Sequence, residues 1–357
     1  MEMKETHFQS THAQFLSAAA LRDAGAELDT GEMLAAMDNA WLDIRSGKAF
    51  GTKAVLSLPE EDFWRDSTVA HRRREFLDER LGWKLSCLYS VNERYGGVKI
   101  IGANSFNRQL GLPRSTSTIV LMEKKTLRVL TIMDGTSISA RRTGSYATMV
   151  LDAFCGQDKP VSVLLFGTGP TARAVVECLN YRCAERIGKF AIQGRSIGRA
   201  QQFIDAIDFP NSLNLEPAEE TSLSKSDFII TATNARAPIF SQDELARDAV
   251  SLHLGGDEIP ESYLQRVLRT GMVVCDDLRT VSHRNSQSIA LHFSRRGLSL
   301  EEVGPLLGLH DLTMIGAPPV RREGPVCVTC VGLPMLDLYA AQATYEKYCR
   351  RSALDRR

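Results

Sequence analysis

The chain has 357 residues, 43% of them apolar and 24% charged, and Lys plus Arg balances Asp plus Glu at 43 each. That composition reads as a globular protein of about two domains, and a formal charge of zero gives no electrostatic case for nucleic acid or an anionic membrane surface as partner. No apolar run approaches the roughly 20 residues of a spanning helix, Met1 to His7 show no basic segment followed by an apolar one, and the eight cysteines are dispersed, so a reduced, cytoplasmic protein is expected.

Thr30 is the expected N-cap of a helix with Met33, Leu34, Met37, Trp41 and Leu42 on one stripe. Short β-rich runs follow at 54–58, 84–89, 98–102, 117–122 and 127–133, and their spacing predicts a mostly antiparallel sheet. Lys99 interrupts one of these runs, and alternation alone turns it toward water. The loop from Asn107 to Ser115 carries Arg108 and Arg114, a pair capable of holding a carboxylate. From Thr136 a helix is expected, with Ile138, Tyr146, Met149, Val150 and Phe154 on its apolar side. Arg142 lies on that same side. A guanidinium there needs an anion, and a substrate carboxylate is a reasonable partner.

The run 161–179 holds the most informative pattern. An apolar, β-branched stretch breaks at Gly167 and resumes at helical spacing with Ala172, Val175, Val176 and Leu179. Gly167 allows the turn, Gly169 admits a pyrophosphate, and Ala172 keeps helix and strand close. Gly167, Thr168, Gly169, Pro170 and Thr171 are the expected dinucleotide-phosphate site, with Pro170 tolerated at the helix start. The next strand ends at Gln193, about 20 residues beyond the glycines, where NAD-specific folds place an acid. Gln193 is not an acid, and Arg195, Ser196 and Arg199 can all donate to a phosphate, so the cofactor is expected to be NAD(P), leaning to NADP(H). A further parallel strand is expected over 272–277, and two more end in Thr231, Thr233 and Asn234 and in His253 to Asp257. These are the positions where open α/β sheets bind ligands, although Gly255-Gly256-Asp257 also reads as a plain turn. Cys327 and Cys330 form the one CxxC, but on a strand they point to opposite faces, so no metal site is expected. A strand, the break at Gly332 and an amphipathic helix complete the chain, which is expected to return there to the first domain.

Taken in order, Gly97-Val-Lys99-Ile-Ile-Gly with Asn107 and Gly111-Leu112, Arg142-Thr143-Gly144, the glycine turn, Thr231-Ala-Thr-Asn234, His253 to Asp257, and Val331-Gly332 with Asp337 resemble the ornithine cyclodeaminase/μ-crystallin family. The resemblance implies an α/β protein with a doubly wound parallel Rossmann sheet at 145–312. It also implies an α+β substrate-binding and dimerisation domain, with a mostly antiparallel sheet, at 1–144 and completed by 313–357. It implies a homodimer. Lys99 and Arg142 would grip a substrate carboxylate beside the nicotinamide, reversing the solvent-facing reading of Lys99. Asp257 would be the acid/base, with Asp257 or Lys99 assisting attack of water on the imine, while Thr143, Thr231, Thr233, Asn234 and Gly332 would border the cofactor.

The implied activity is NAD(P)-dependent oxidation or reduction at the C–N bond of an amino or imino acid. Gly111-Leu-Pro-Arg114-Ser resembles the branch containing the dehydrogenase of 2,3-diaminopropionate biosynthesis, which acts on an opine-like amino-acid conjugate, and the second component of tyramine oxidase. Arg114 points to a second carboxylate on the substrate. Cyclodeaminases carry a glutamate near the place of Lys84, and the family's arginine ahead of that strand finds its nearest match in Lys53. The alternatives are an ornithine or lysine cyclodeaminase that recycles its NAD, and a non-catalytic NADPH-dependent binding protein like μ-crystallin.

Overall fold

Period-two alternation builds the first sheet from β1 (Gln14–Leu16), β2 (Phe50–Ser57), β3 (Lys84–Val91), β4 (Tyr95–Ala103), β5 (Ser115–Glu123) and β6 (Val129–Asp134). The computed structural model describes residues 13–210, 212–241, 244–314 and 323–354; the signal-peptide reading of Met1 to His7 lies outside them. The strand order is β1-β6-β5-β4-β3-β2. β2 to β6 pair antiparallel, as expected, while β1 runs parallel to β6. Lys53 stands opposite Leu88, and Leu88 opposite Lys99. Lys84 precedes Leu88 by an even number of residues, so Lys53, Lys84 and Lys99 share one face.

The helix Pro334–Leu354 packs on that face, against β2, β3 and β4. Its Leu338 sits so close to Gly97 that a Cβ there would come within 2.8 Å of the leucine Cδ1. The opposite face leaves Phe50, Leu56, Leu85, Tyr89 and Ile100 exposed.

The second sheet comprises β7 (Val161–Phe166), β8 (Ile187–Gln193), β9 (Leu215–Pro217), β10 (Phe228–Thr231), β11 (Val250–His253), β12 (Met272–Cys275), β13 (His310–Asp311) and β14 (Val326–Thr329). All its pairings are parallel, in the order β13-β12-β14-β11-β10-β7-β8-β9. Parallel strands are covered on both faces and so read as continuous apolar runs. β7 is flanked by β8 and β10, and this reversal of strand order opens a crevice beside the glycine turn.

One expectation fails. β14 does not return to the first domain but fills the sheet between β11 and β12, so the boundary drawn at 312 is displaced, and the helix Pro334–Leu354 is the part that goes back. The reason is burial. Val326, Cys327 and Val328 are as buried as the neighbouring strands, and Cys327 and Cys330 belong to different cores.

The helix Thr136–Phe154 joins the two sheets through Tyr146, Ala147, Val150 and Leu151, all fully buried. Asp29, not Thr30, caps the helix Thr30–Arg45 in a reciprocal capping box with Glu32, each bond 2.8 Å. Thr30 begins the helix and donates to Glu177 at 2.5 Å.

Gly144 marks the closest approach of the helices Thr136–Phe154 and Pro170–Cys183, since a Cβ there would lie 2.4 Å from the Ala174 carbonyl oxygen. Gly144→Ala should therefore destabilise the protein by about 1–3 kcal/mol through overpacking, despite the roughly 1 kcal/mol that alanine gains in a helix. Urea midpoints test this, and a stabilised variant would show that the helices can separate at no cost.

Candidate active site

A cleft of about 1440 Å³ opens where β7, β8 and β10 end, lined by Gly167, Thr168, Gly169, Pro170 and Thr171 on one side. Gly167 has φ +123°, and a Cβ on it would meet the Ala232 carbonyl oxygen at 2.5 Å. A Cβ on Gly169 would meet nothing within 4 Å. Gly169 is the N-cap of a helix whose amides receive no side-chain cap, with Pro170 first inside. Free amides at a helix N-terminus, bare backbone and open space together fit a pyrophosphate.

Gln193, Gly194, Arg195 and Arg199 continue the lining, as do Glu219 and Glu220. Arg195 reaches Glu79 at 3.1 Å, and the Ser196 hydroxyl caps its own helix by accepting from the Arg199 amide at 3.3 Å.

Among the expected cofactor contacts, Thr231 does not face the cleft. It is fully buried, donating to Glu258 Oε2 at 2.7 Å beside His253 Nδ1 at 2.9 Å. Burial holds His253 down to about 3, hence neutral. Thr233 lines the cleft, but its amide donates to Glu258 Oε1 at 2.8 Å and its hydroxyl to the same oxygen. Thr143 donates its hydroxyl to Ser139 O at 2.7 Å within its own helix. Asn234 ties the cleft wall together, donating to Arg80 O and Ser105 Oγ and accepting from Arg114 at 2.9 Å.

The two sheets meet at a buried ion cluster. Asp337, in the first turn of the carboxy-terminal helix, accepts from Lys99 Nζ at 2.7 Å and from Arg142 Nε at 2.9 Å. Lys99 also donates to Ser139 Oγ at 3.1 Å. Lys99, Arg142 and Asp337 are 3%, 5% and 2% exposed. Burial pushes the Asp337 carboxyl up, but Arg142 and Lys99 outweigh it and hold it below the ordinary aspartate range. Burial lowers Lys99 to about 8 against the pull of Asp337.

Lys99 faces inward, as the family resemblance implies and against alternation alone, because the carboxy-terminal helix covers its side of the sheet. One expectation changes: the anion already at Arg142 is Asp337. Gly332, at φ +85°, makes the arrangement possible, since a Cβ there would lie 2.5 Å from Arg142 Nη1.

Further cations surround this core. Lys53 donates to the carbonyls of Val331 and Gly332 at 3.3 and 3.4 Å, and burial followed by Arg284 brings it down to about 7. Asp276, fully buried, accepts from Tyr146 and from the amides of Val331 and Gly332 at 2.8–2.9 Å. Both loop arginines line the cleft with Lys84 and Arg284, but Arg108 pairs with Glu79 at 2.5 Å while Arg114 donates to the neutral Ser105 and Asn234.

Asp257 is not drawn into this cluster. Gly255 and Gly256 line the cleft but Asp257 does not; its carboxylate meets Arg295 at 2.7 Å and Arg80 at 3.3 Å. Sequence reasoning passed over Glu258, Asp276, Arg284, Arg80 and Glu79. A signal existed for Glu258, because Gly255 is the one residue type that leaves room for its carboxylate, 2.2 Å from where a Cβ would stand.

The sequence profile of the ornithine cyclodeaminase/mu-crystallin family matches residues 69–351. The chain is 24% identical over 257 residues to an alanine dehydrogenase from Archaeoglobus fulgidus, covering 71% of this chain and 76% of that protein. It is 22% identical over 278 residues to a Delta(1)-pyrroline-2-carboxylate reductase from Bacillus cereus, covering 73% and 79%. Its fold matches that of Thermococcus litoralis Delta(1)-pyrroline-2-carboxylate reductase, solved with NADH and L-proline, with a TM-score of 0.76, 19% identity and coverage of 95% and 98%.

The position of Lys53 sets a pH dependence. Its folded value of about 7 lies below the roughly 10.4 of a free lysine, so between the two the unfolded chain binds more protons and stability rises with pH, by up to about 1.4 kcal/mol per unit. Lys53→Met removes that term. Its stability relative to wild type should be highest near neutral pH and decline toward about pH 9, as read from urea midpoints; a constant difference would mean that Lys53 titrates as a free lysine.

Proposed function

The chain belongs to the ornithine cyclodeaminase/mu-crystallin family, and we propose that it is an NAD(P)-dependent oxidoreductase acting on the C–N bond of an amino acid, a cyclic imine or an N-linked, opine-like conjugate. One observation carries this reading. A single cleft runs from the bare Gly167–Gly169 backbone to Lys84, Arg114 and Arg284, and Lys99 and Arg142 lie buried behind it within the electrostatic reach of Arg284. The relatives named above as alanine dehydrogenase and pyrroline-2-carboxylate reductase support it.

A bound nicotinamide dinucleotide supplies the hydride chemistry; the protein binds, orients and moves protons. Gly167 and Gly169 with the amides of the Pro170 helix hold the pyrophosphate. Arg142 keeps Nη1 outside its bonds to Asp337 and, with Lys99, fixes a substrate carboxylate so that its α-carbon faces the cofactor. Lys99, near 8, has the proton affinity suited to exchange with the substrate nitrogen at neutral pH. Asp257, expected as the acid/base, is engaged by two guanidiniums, and the role passes to Lys99 in this reading.

Gln193 in place of an acid, with Arg195 and Arg199 lining the cleft beyond it, favours NADP(H). The cysteines, all free thiols, suit a reducing cytoplasm. The apolar outer face of β2, β3 and β4 suits a homodimer interface, which sedimentation would show as a twofold mass; a monomer would leave that face unexplained.

Absorbance at the nicotinamide band tests the activity. NADPH should be consumed with oxo-acid and amine pairs or cyclic imines, Lys99→Met should abolish turnover while retaining cofactor affinity, and Arg195→Ala should weaken NADPH about tenfold more than NADH, the worth of one charge-assisted phosphate contact. If none of these substrates changes the absorbance, the enzymatic reading fails.

A further inference from the structure

Three cations in the cleft have no carboxylate of their own. Lys84 lines the cleft, and no hydrogen bond or ion pair joins its ammonium to any described residue. Arg114 donates Nε to Ser105 Oγ at 3.1 Å and Nη2 to Asn234 Oδ1 at 2.9 Å, both neutral acceptors. Arg284, at the end of the helix Leu278–Arg284, donates to the Val331 carbonyl at 3.1 Å.

The nearby carboxylates are committed. Asp337 serves Lys99 and Arg142, and Asp276 serves Tyr146 and two backbone amides. The three cations also repel one another. Arg284, then burial and Arg114, bring Lys84 well below an ordinary lysine, and burial lowers Arg284 to about 10 against the pull of Asp276, with Arg114 adding to the fall. Like charges gathered in a part-buried cleft are costly unless an anion joins them.

The fold builds this grouping deliberately. Lys84 begins β3 on the inner face, paired across to Ser57 and Ala103. Gly82, at φ +59°, clears the way for Arg114, whose Nη2 would lie 2.9 Å from a Cβ at that position.

We propose that Lys84, Arg114 and Arg284 form a second anion subsite, so that the substrate carries an acidic group at its far end besides the carboxylate held by Arg142 and Lys99. This rests on the oxidoreductase reading for the first carboxylate and sharpens its substrate class to a dicarboxylic amino or imino acid, or a conjugate with an equivalent acidic arm. A diamino acid is disfavoured, because its terminal ammonium would face the three cations.

The test compares two chain-matched probes, 2-oxoglutarate and 2-oxohexanoate, by calorimetry on the full-length protein saturated with NADP. The dianion should bind about tenfold or more tightly, as expected for a charge-assisted contact. Lys84→Met should remove the preference for the dianion.

Equal affinities in wild type would overturn the second subsite and leave the oxidoreductase reading standing. Binding of neither probe would overturn both. Tighter binding of O-phosphoserine than of glutamate would keep the subsite and identify its anion as a phosphate.

Discussion

Everything at the centre of this protein depends on one buried carboxylate. Asp337 arrives on the last helix and holds Lys99 from β4 and Arg142 from the helix that joins the two sheets. Taking three charges out of water is expensive, and the expense is met only while all three are present with good geometry. The cluster therefore does more than fasten three elements together. It fixes two cations at the seam between the sheets, where their charge acts with little solvent screening.

The local parts of this arrangement were legible in the sequence, and the non-local parts were not. The glycine turn reads clearly because strand, turn and helix lie within one short stretch. Lys99 does not, since alternation says that a side chain leaves one face of a sheet but not which face will be covered. What covers it is a helix more than two hundred residues later in the chain. The same gap hid Asp337 as the partner of Arg142, 195 positions away. Thr30 and Asp29 are both competent caps, and the reciprocal bond from Glu32 decides between them.

Asp257 shows the opposite limit. The family pattern around it is intact, yet what the carboxylate touches is set by Arg80 and Arg295, which no motif includes. Glu258 beside it organises Thr231 and Thr233. A motif identifies a place in the fold, and the neighbours decide the chemistry of that place.

The position of β14 carries a consequence for how the molecule comes into being. It fills the interior of the parallel sheet, between β11 and β12, although it is made after both of them and after β13. Until then the nascent chain holds two unjoined half-sheets, each with a raw edge able to pair with a neighbouring chain. Assembly of the nucleotide-binding half therefore waits for β14 to be made, and aggregation during synthesis becomes a sharper hazard for this protein than its balanced charge would suggest.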